Sequence, residues 1–422
     1  MALTRESALE KDAADPLAPL RERFAMPRGA RGGRRTYLCG HSLGLMPLAA
    51  RETLAEDLED WERLGVLGHE GARRPWIGYH DALAMPMADL LGCRTDEVVV
   101  MNSLTVNLQL MLASFYRPAG ARRRILIEAG AFPSDRYAVK SQVQWHGCDP
   151  REDVLELAPR AGEELIREED LEATLGRCGE QIALVLWPGV QYLTGQAFDL
   201  ARVARAAQGA GALVGFDLAH SVGNMPFPLR DTAADFAVWC SYKYLNAGPG
   251  AIGGCFVHSR HFEAARPRLI GWWGHDPATR FDMPHDFRAA AGAAGFQLSN
   301  QSVFAAAPLV ASLALFREAG TQRLRAKSVA LSTFFEQLSA QRTPEVRLIT
   351  PREQAARGAQ LSLRVSGDPV RARRVFEWIR AHGVVCDWRA PNVIRAAAAP
   401  LYNGFVDVFD FVECLETALR AA

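Results

Sequence analysis

The stretch "CSYKYLNAGPGAIGG", Cys240 to Gly254, closes an apolar, strand-like run on a lone lysine, Lys243, set between two tyrosines. The chain carries 48 Lys+Arg, and only Lys11, Lys140, Lys243 and Lys327 are lysine. Arginine supplies the plain cations, so a lysine at a strand end asks for a chemical reason. An ammonium there either finds a counter-charge or gives up its proton. Deprotonated and desolvated, the amine is a nucleophile toward carbonyls. Snorkelling of the side chain to water explains this stretch equally well when it is taken alone.

Working outward, "RILIEA" (124–129), "IALVLWP" (182–188), "ALVGFDLA" (212–219), "FAVWCSY" (236–242) and "IGGCFVH" (252–258) are continuous apolar runs of strand length. Such runs belong to sheets covered on both faces. Between them "DRYAVKSQVQWHG", "EEDLEATLGRCG" and "DLARVARAAQGAG" have helical period, the last closed by glycine. Strand and helix in alternation predict a mainly parallel α/β sheet. Upstream, "RETLAEDLEDWERLG" sets Leu54, Leu58, Trp61 and Leu64 near one stripe, predicting a helix docked by that face. After about residue 305 a long helical stretch, short strands and the helix "PVRARRVFEWIRAHG" predict a smaller α+β unit joined to the large one by a single long helix.

The bulk numbers agree with this picture. A chain of 422 residues exceeds the roughly 250–300 that one core supports, which implies two domains. Zero formal net charge leaves no basic excess for phosphates, so nucleic acid is not an expected partner. The eight cysteines are scattered, with no C-x-x-C and no metal-ligand spacing, predicting free thiols and no metal. The N-terminal "MALTRESALEKDAADPLAPLRERF" lacks an apolar signal region, and no run reaches the ~18 apolar residues of a membrane span, so a cytoplasmic protein without membrane contact is expected.

Lys243 has candidate companions for one particular chemistry. Pyridoxal phosphate (PLP) needs a lysine, an acid at its pyridine nitrogen, a cradle for its phosphate and an aromatic face. Asp217, in "ALVGFDLAHSVGN", ends a candidate strand as Lys243 does, on the side where open α/β sheets hold ligands. His220 follows closely; the plainer reading of Asp217 is a capping residue that opens the turn "DLAHS". Asn102, Ser103 and Thr105 open an apolar helix, either as an anion cradle or as ordinary N-caps. Phe132 and Asp135 follow the strand 124–129, within reach of a ring in the same crevice. Trp272 and Trp273 in "LIGWWGHD" read as an interface or a ligand wall, and Asn300 precedes the long helix.

With these residues in hand, the chain closely resembles the kynureninase family over nearly its whole length. The resemblance runs from "YLCGHSLGLMP" through "GHEGARRPWIGYH", "FPSDRY", "QYLTGQ", "DLAHSVGN", "SYKYLNAGPG", "GWWGH" and "FQLSNQSV" to "PNVIRAAAAPLYN". It implies a PLP enzyme of the aminotransferase type I fold, with an N-terminal segment (1–45) packing with the small domain, a large PLP-binding domain (46–305) and a small C-terminal domain (306–422). The implied reaction is hydrolysis of L-kynurenine, or 3-hydroxykynurenine, to anthranilate or 3-hydroxyanthranilate and L-alanine in tryptophan breakdown. By resemblance, Lys243 binds the cofactor, Asp217 pairs with its pyridinium, and His220 is its neighbour. Leu104, Thr105, Phe132, Pro133, Ser134 and Asp135 surround ring and phosphate, and Tyr242 holds the phosphate and relays a proton. Trp272 and Asn300 would reach the phosphate from the partner subunit of a homodimer with shared active sites. Arg395 would clamp the substrate carboxylate, and His69 would lie near the aryl ring.

Two departures from the family pattern stand out. His41 replaces a usual asparagine, and Ala396–Ala399 replace a proline-containing segment, which predicts a looser loop around Arg395. The alternative on the same fold is a cysteine desulfurase-like lyase, for which Cys386 and Cys39 are the best nucleophile candidates.

Overall fold

The computed structural model describes residues 3–29, 33–264 and 266–422. Strands β1 (Val98–Val100), β2 (Arg124–Glu128), β3 (Val154–Leu157), β4 (Ile182–Pro188), β5 (Leu213–Asp217), β6 (Phe236–Trp239) and β7 (Gly254–Val257) form one sheet in the order β1-β7-β6-β5-β4-β2-β3. β7 runs antiparallel to both neighbours, and the other pairings are parallel. The apolar runs are continuous because both faces are covered. Ile125, Ile127, Leu184 and Leu186 pack with the helices Leu104–Phe115 and Pro133–Trp145, whereas Leu126, Val185 and Val214 pack with Glu168–Cys178 and Leu200–Gly209.

The topology creates the crevice that the site occupies. From β2 the chain crosses outward to β3, and from β4 it crosses the other way to β5. Strands β2 and β4 are neighbours, so their C-terminal loops diverge and leave a cleft at the sheet edge.

The C-terminal part builds a second, antiparallel sheet from β8 (Val346–Leu348), β9 (Gln360–Val365), β10 (Asp387–Arg389) and β11 (Val393–Ala397), in the order β10-β11-β9-β8. The helices Thr321–Arg342, Pro369–Ala381 and Phe405–Ala421 cover it. The N-terminus is tied to this part by charge. Asp12 accepts the Phe405 and Val406 amide N–H groups at 2.6 and 3.1 Å, satisfying the open donors at a helix start. Arg21 forks onto Asp407, Lys327 meets Asp15 at 2.6 Å, and Thr36–Tyr37 pairs with Val384–Val385.

Three expectations are corrected. The helix Leu48–Leu64 docks by only part of its leucine and tryptophan stripe: Leu54 packs against the core, Leu58 and Trp61 are 50% and 58% exposed, and Thr53, Asp57 and Asp60 are buried. The reason is a later segment that supplies the partners. Arg74 donates to Asp57 Oδ1 at 3.0 and 2.9 Å, the Tyr79 hydroxyl donates to Asp57 Oδ2 at 2.7 Å, and the Arg73 amide donates to Asp60 at 2.7 Å. Paired and hydrogen-bonded, carboxylates outcompete leucines for the interior.

The single long helix is instead two, Val303–Ala319 and Thr321–Arg342, bent by 82°. Gly320 sits at the break with φ +76°, a conformation that glycine adopts at little cost. No single helix among the described residues is long and apolar enough to cross a membrane. Finally, Ala396–Ala399 do not loosen anything. Ala396 and Ala397 lie in β11, paired with Leu361 and Gln360, and all four alanines are buried. Small side chains are what a strand in the middle of that sheet has room for.

Candidate active site

Lys243 follows β6 at the C-terminal edge of the sheet. Its Nζ lies 5.8 Å from the ring centroids of both Phe132 and Tyr242. Among the described residues it pairs with no carboxylate, whereas buried Lys327 is held by Asp15. The loop is fixed from the N-terminal segment. The Gly44 amide donates to the Tyr242 carbonyl at 2.8 Å, and a Cβ on Gly44 would come within 2.3 Å of the Lys243 carbonyl. Only glycine permits that approach.

Behind the lysine three carboxyl groups converge on the crevice: Asp217 at the end of β5, Asp135 in the first turn of Pro133–Trp145, and Glu128 at the end of β2. Asp217 Oδ1 accepts the Ala219 amide at 2.6 Å, as the turn-capping reading of this residue expects. Burial, then the Asp217 charge and a hydrogen bond to it, pushes the Asp135 carboxyl well above its usual range; Lys243 works weakly against this. Burial and Asp217 likewise push Glu128 up.

Leu104 and Thr105 form the first turn of Leu104–Phe115. Ser103 takes the cap position but makes no side-chain capping bond, which leaves the helix-start amides free for an anion. Asn102 holds φ +47° and accepts the Gly253 amide, so the loop is braced across the sheet. Burial and Cys240 push the Tyr242 phenol up, keeping it a neutral O–H donor. Pro133 starts its helix, where its missing N–H costs nothing, and Ser134 donates to Asp135 at 3.5 Å.

On the opposite wall, β10 and β11 bring Arg395 into the crevice. It is 1% exposed; its Nε donates to Asp387 Oδ2 at 2.6 Å, its Nη2 also meets Asp387, and its Nη1 donates to the Tyr192 carbonyl at 2.5 Å. Tyr192 links the two walls, since its ring lies 5.1 Å edge-on from Phe132 and 5.8 Å from the Arg395 guanidinium. His41 is fully buried, 3.8 Å from Asp387 and 6.5 Å from the His220 ring. Burial, then Lys243, Arg395 and His41, drives the His220 pKa well below its ordinary value.

His41 makes a pH-dependent contribution to stability. Burial, then Arg395, lowers its pKa to about 4, with Asp387 opposing. In the unfolded chain the ring returns to about 6.5. Between these values the unfolded state binds the extra proton, so stability falls as pH drops from 6.5 to 4, by on the order of 3 kcal/mol. His41→Gln should remove this slope. Melting temperatures of both proteins across that range test it, and parallel curves would show that the folded ring still takes up a proton.

His69, Trp272 and Asn300 are brought together elsewhere. They line a cavity of about 560 Å³ with Trp76, Phe281 and Val303, and its walls include none of the residues around Lys243. His69 stands edge-on to Trp76 at 5.5 Å, and Trp272 Nε1 donates to the Arg280 carbonyl at 3.1 Å. Leu58, Trp61, Val66 and Leu67 are exposed in the same part of the chain. No cluster of His, Cys, Asp and Glu suited to a metal occurs among the described residues.

The surroundings of Lys243 fit PLP: an unpaired lysine 5.8 Å from two aromatic rings, buried carboxyl groups in the same crevice, and a helix start whose cap residue makes no side-chain bond. Comparison with known proteins adds the family. The chain is 52% identical over 416 residues to a protein named Kynureninase from Xanthomonas campestris pv. campestris (strain 8004), covering 98% of each. It is 54% identical over 416 residues to another of that name from Myxococcus xanthus (strain DK1622), covering 98% of this chain and 97% of that one.

The chain belongs to the kynureninase family.

Residues 324–415 also match the family described as Kynureninase C-terminal domain. Solved structures similar to it include a cysteine desulfurase from Escherichia coli (TM-score 0.75, 19% identity, 96% of this chain and 98% of that one) and one from Thermococcus onnurineus NA1 (0.74, 18%, 100% of each). At that identity they establish the fold, the type I architecture expected from the sequence. In this kynureninase-family chain neither of the two candidate cysteines suits desulfuration. Burial and Asp387 push the Cys39 thiol up to about 12, and burial pushes Cys386 well above its usual range. Neither forms a thiolate readily.

Sequence reasoning missed Glu128, Tyr192, Asp387 and Arg389, and singled out His41 only as a departure. The available signals were a glutamate closing the apolar run "RILIE" and the D-x-R alternation in "CDWRAP", which puts both side chains on one strand face.

Proposed function

We propose that the protein is a PLP-dependent hydrolase that cleaves L-kynurenine, and 3-hydroxykynurenine, between Cβ and Cγ to give anthranilate, or its 3-hydroxy form, and L-alanine. The observation that carries this reading is Lys243, unpaired between Phe132 and Tyr242 in a chain of this family. When bound, PLP supplies the electron sink that makes the Cα proton acidic and the Cβ–Cγ bond labile to water.

The protein's own groups do the rest. Lys243 would hold the cofactor and, as a free amine, would carry the proton to and from Cα. Asp217 holds the pyridine nitrogen protonated, with Asp135 and Glu128 as neutral support and His220 as a neutral neighbour. Phe132 covers the ring, and Pro133 and Ser134 set its loop. Leu104, Thr105 and Tyr242 take the phosphate, and Tyr242 also delivers a proton to Cβ after anthranilate leaves. Arg395 receives the α-carboxylate end-on: of its five N–H groups three are engaged, leaving one on each terminal nitrogen.

His69, Trp272 and Asn300 serve the site of a second copy, His69 at the aryl ring and the other two at the phosphate. Their shared cavity amid exposed apolar side chains supports a homodimer with shared active sites. The division into 1–45 with 306–422 around 46–305 is part of the same reading, supported by the Asp12, Arg21 and Lys327 contacts. So is a cytoplasmic location, since all eight cysteines are free.

Purified, PLP-supplemented protein given L-kynurenine should release anthranilate and L-alanine in equal amounts. A protein that binds PLP but forms neither product would leave the Lys243 site standing and refute the substrate.

A further inference from the structure

Strands β10 and β11 gather three charged groups into one cluster. Asp387 and Arg389 lie two apart on β10 and share a face, and Arg395 is directly opposite Asp387 in register. Both arginines use the same carboxylate oxygen: Arg395 Nε is 2.6 Å and Arg389 Nε 3.0 Å from Asp387 Oδ2. Both guanidiniums also stand over the Tyr192 ring, at 5.8 and 5.6 Å. Arg395 is 1% exposed and makes three hydrogen bonds, to Asp387 and to the Tyr192 carbonyl, whereas Arg389 is 35% exposed and is held by Asp387 alone.

The charge count matters here. An Arg395–Asp387 pair alone is neutral, and a neutral pair has little attraction for a carboxylate. His41 and His220 add nothing near pH 7, because burial keeps both rings neutral. Arg389 therefore raises the cluster from zero to a single positive charge, which matches the one carboxylate of an α-amino acid. Asp387 fixes the direction of the Arg395 fork, and Arg389 offsets the charge that this fixing cancels.

We propose that Arg389 is a positioning residue of the amino-acid site, acting through Asp387 to keep Arg395 electrostatically competent for the substrate α-carboxylate without touching the substrate. The inference rests on the reading of Arg395 as the carboxylate clamp.

A four-cornered cycle of wild type, R389Q, D387N and D387N/R389Q tests it on the PLP-loaded enzyme, with melting temperature and cofactor content recorded for each. A unit charge removed several ångströms from the ligand in a partly buried site weakens binding roughly tenfold. R389Q should raise KM for L-kynurenine by about that factor with kcat within about threefold, and R389K, which keeps the charge, should leave both unchanged. D387N/R389Q again carries one positive charge and should return KM close to wild type. Inhibition by the decarboxylated amine of the substrate, which has no carboxylate, should be the same in all four.

An unchanged KM in R389Q, or a raised KM that D387N does not relieve, overturns the proposal. Should R389Q fold poorly, the step from D387N to D387N/R389Q reads the same charge, and an unchanged KM across it is equally decisive. R395Q run alongside separates the two readings: if it leaves KM unaltered, the clamp assignment itself is wrong, whereas a raised KM in R395Q beside an unaffected R389Q defeats the charge-balance inference alone.

Discussion

Lys243→Ala should lose at least roughly 10⁴-fold in kcat for L-kynurenine, the upper end of what one positioned acid–base group supplies, because in the proposed mechanism this amine would both anchor the cofactor and move the Cα proton. The geometry leaves no substitute. Of the three other lysines, Lys327 is paired with Asp15, Lys11 stands over the Phe405 ring, and Lys140 lies on the helix Pro133–Trp145 away from its first turn. The visible absorption of lysine-bound PLP should vanish in the variant, while PLP is still retained through the helix-start amides and Asp217. Melting temperature should change little, since a half-buried side chain without an ionic partner leaves no orphaned charge behind. A normal absorption band in Lys243→Ala would overturn the central assignment of the site.

Tyr242→Phe should keep PLP and lose roughly 10²–10⁴ in rate, the usual scale for a general acid or base. Burial and Cys240 hold the phenol in its neutral form, so the hydroxyl proton is available at neutral pH. The ring also packs in both cores that flank the sheet, and phenylalanine preserves that packing. Rapid-quench measurement should show the first product, anthranilate, still forming in a burst while L-alanine release is slow. Unchanged steady-state turnover would remove Tyr242 from the proton path.

Much of this site was legible in the chain. "RILIE", "IALVLWP" and "LVGFD" announce buried parallel strands because period and turn chemistry act within a few residues. Once those strands are parallel, their C-terminal ends must share an edge, and Asp217, Lys243 and Phe132 follow from position alone. The helix Leu48–Leu64 shows where this reasoning stops. Its leucine and tryptophan stripe has a docking pattern, yet Asp57 and Asp60 are the buried residues, because Arg73, Arg74 and Tyr79 arrive from the next segment to pair with them. Hydrophobic period predicts burial only where no partner charge makes a polar residue cheaper to bury.

The sequence by itself determined the parallel α/β architecture, the lysine that follows one of its strands, the acid that ends another and the family these motifs mark. Those are local or edge-of-sheet properties, set by side-chain period and chain direction. Only the tertiary structure decided which charges meet: that Asp387 fixes Arg395 from the neighbouring strand, that Arg389 shares the same oxygen, that His41 from the N-terminal segment is buried against them, and that Glu128 and Asp135 flank Asp217. Such pairings join segments up to several hundred residues apart. Their energies depend on desolvation and on distances of a few ångströms, neither of which is written in the order of residues along one chain.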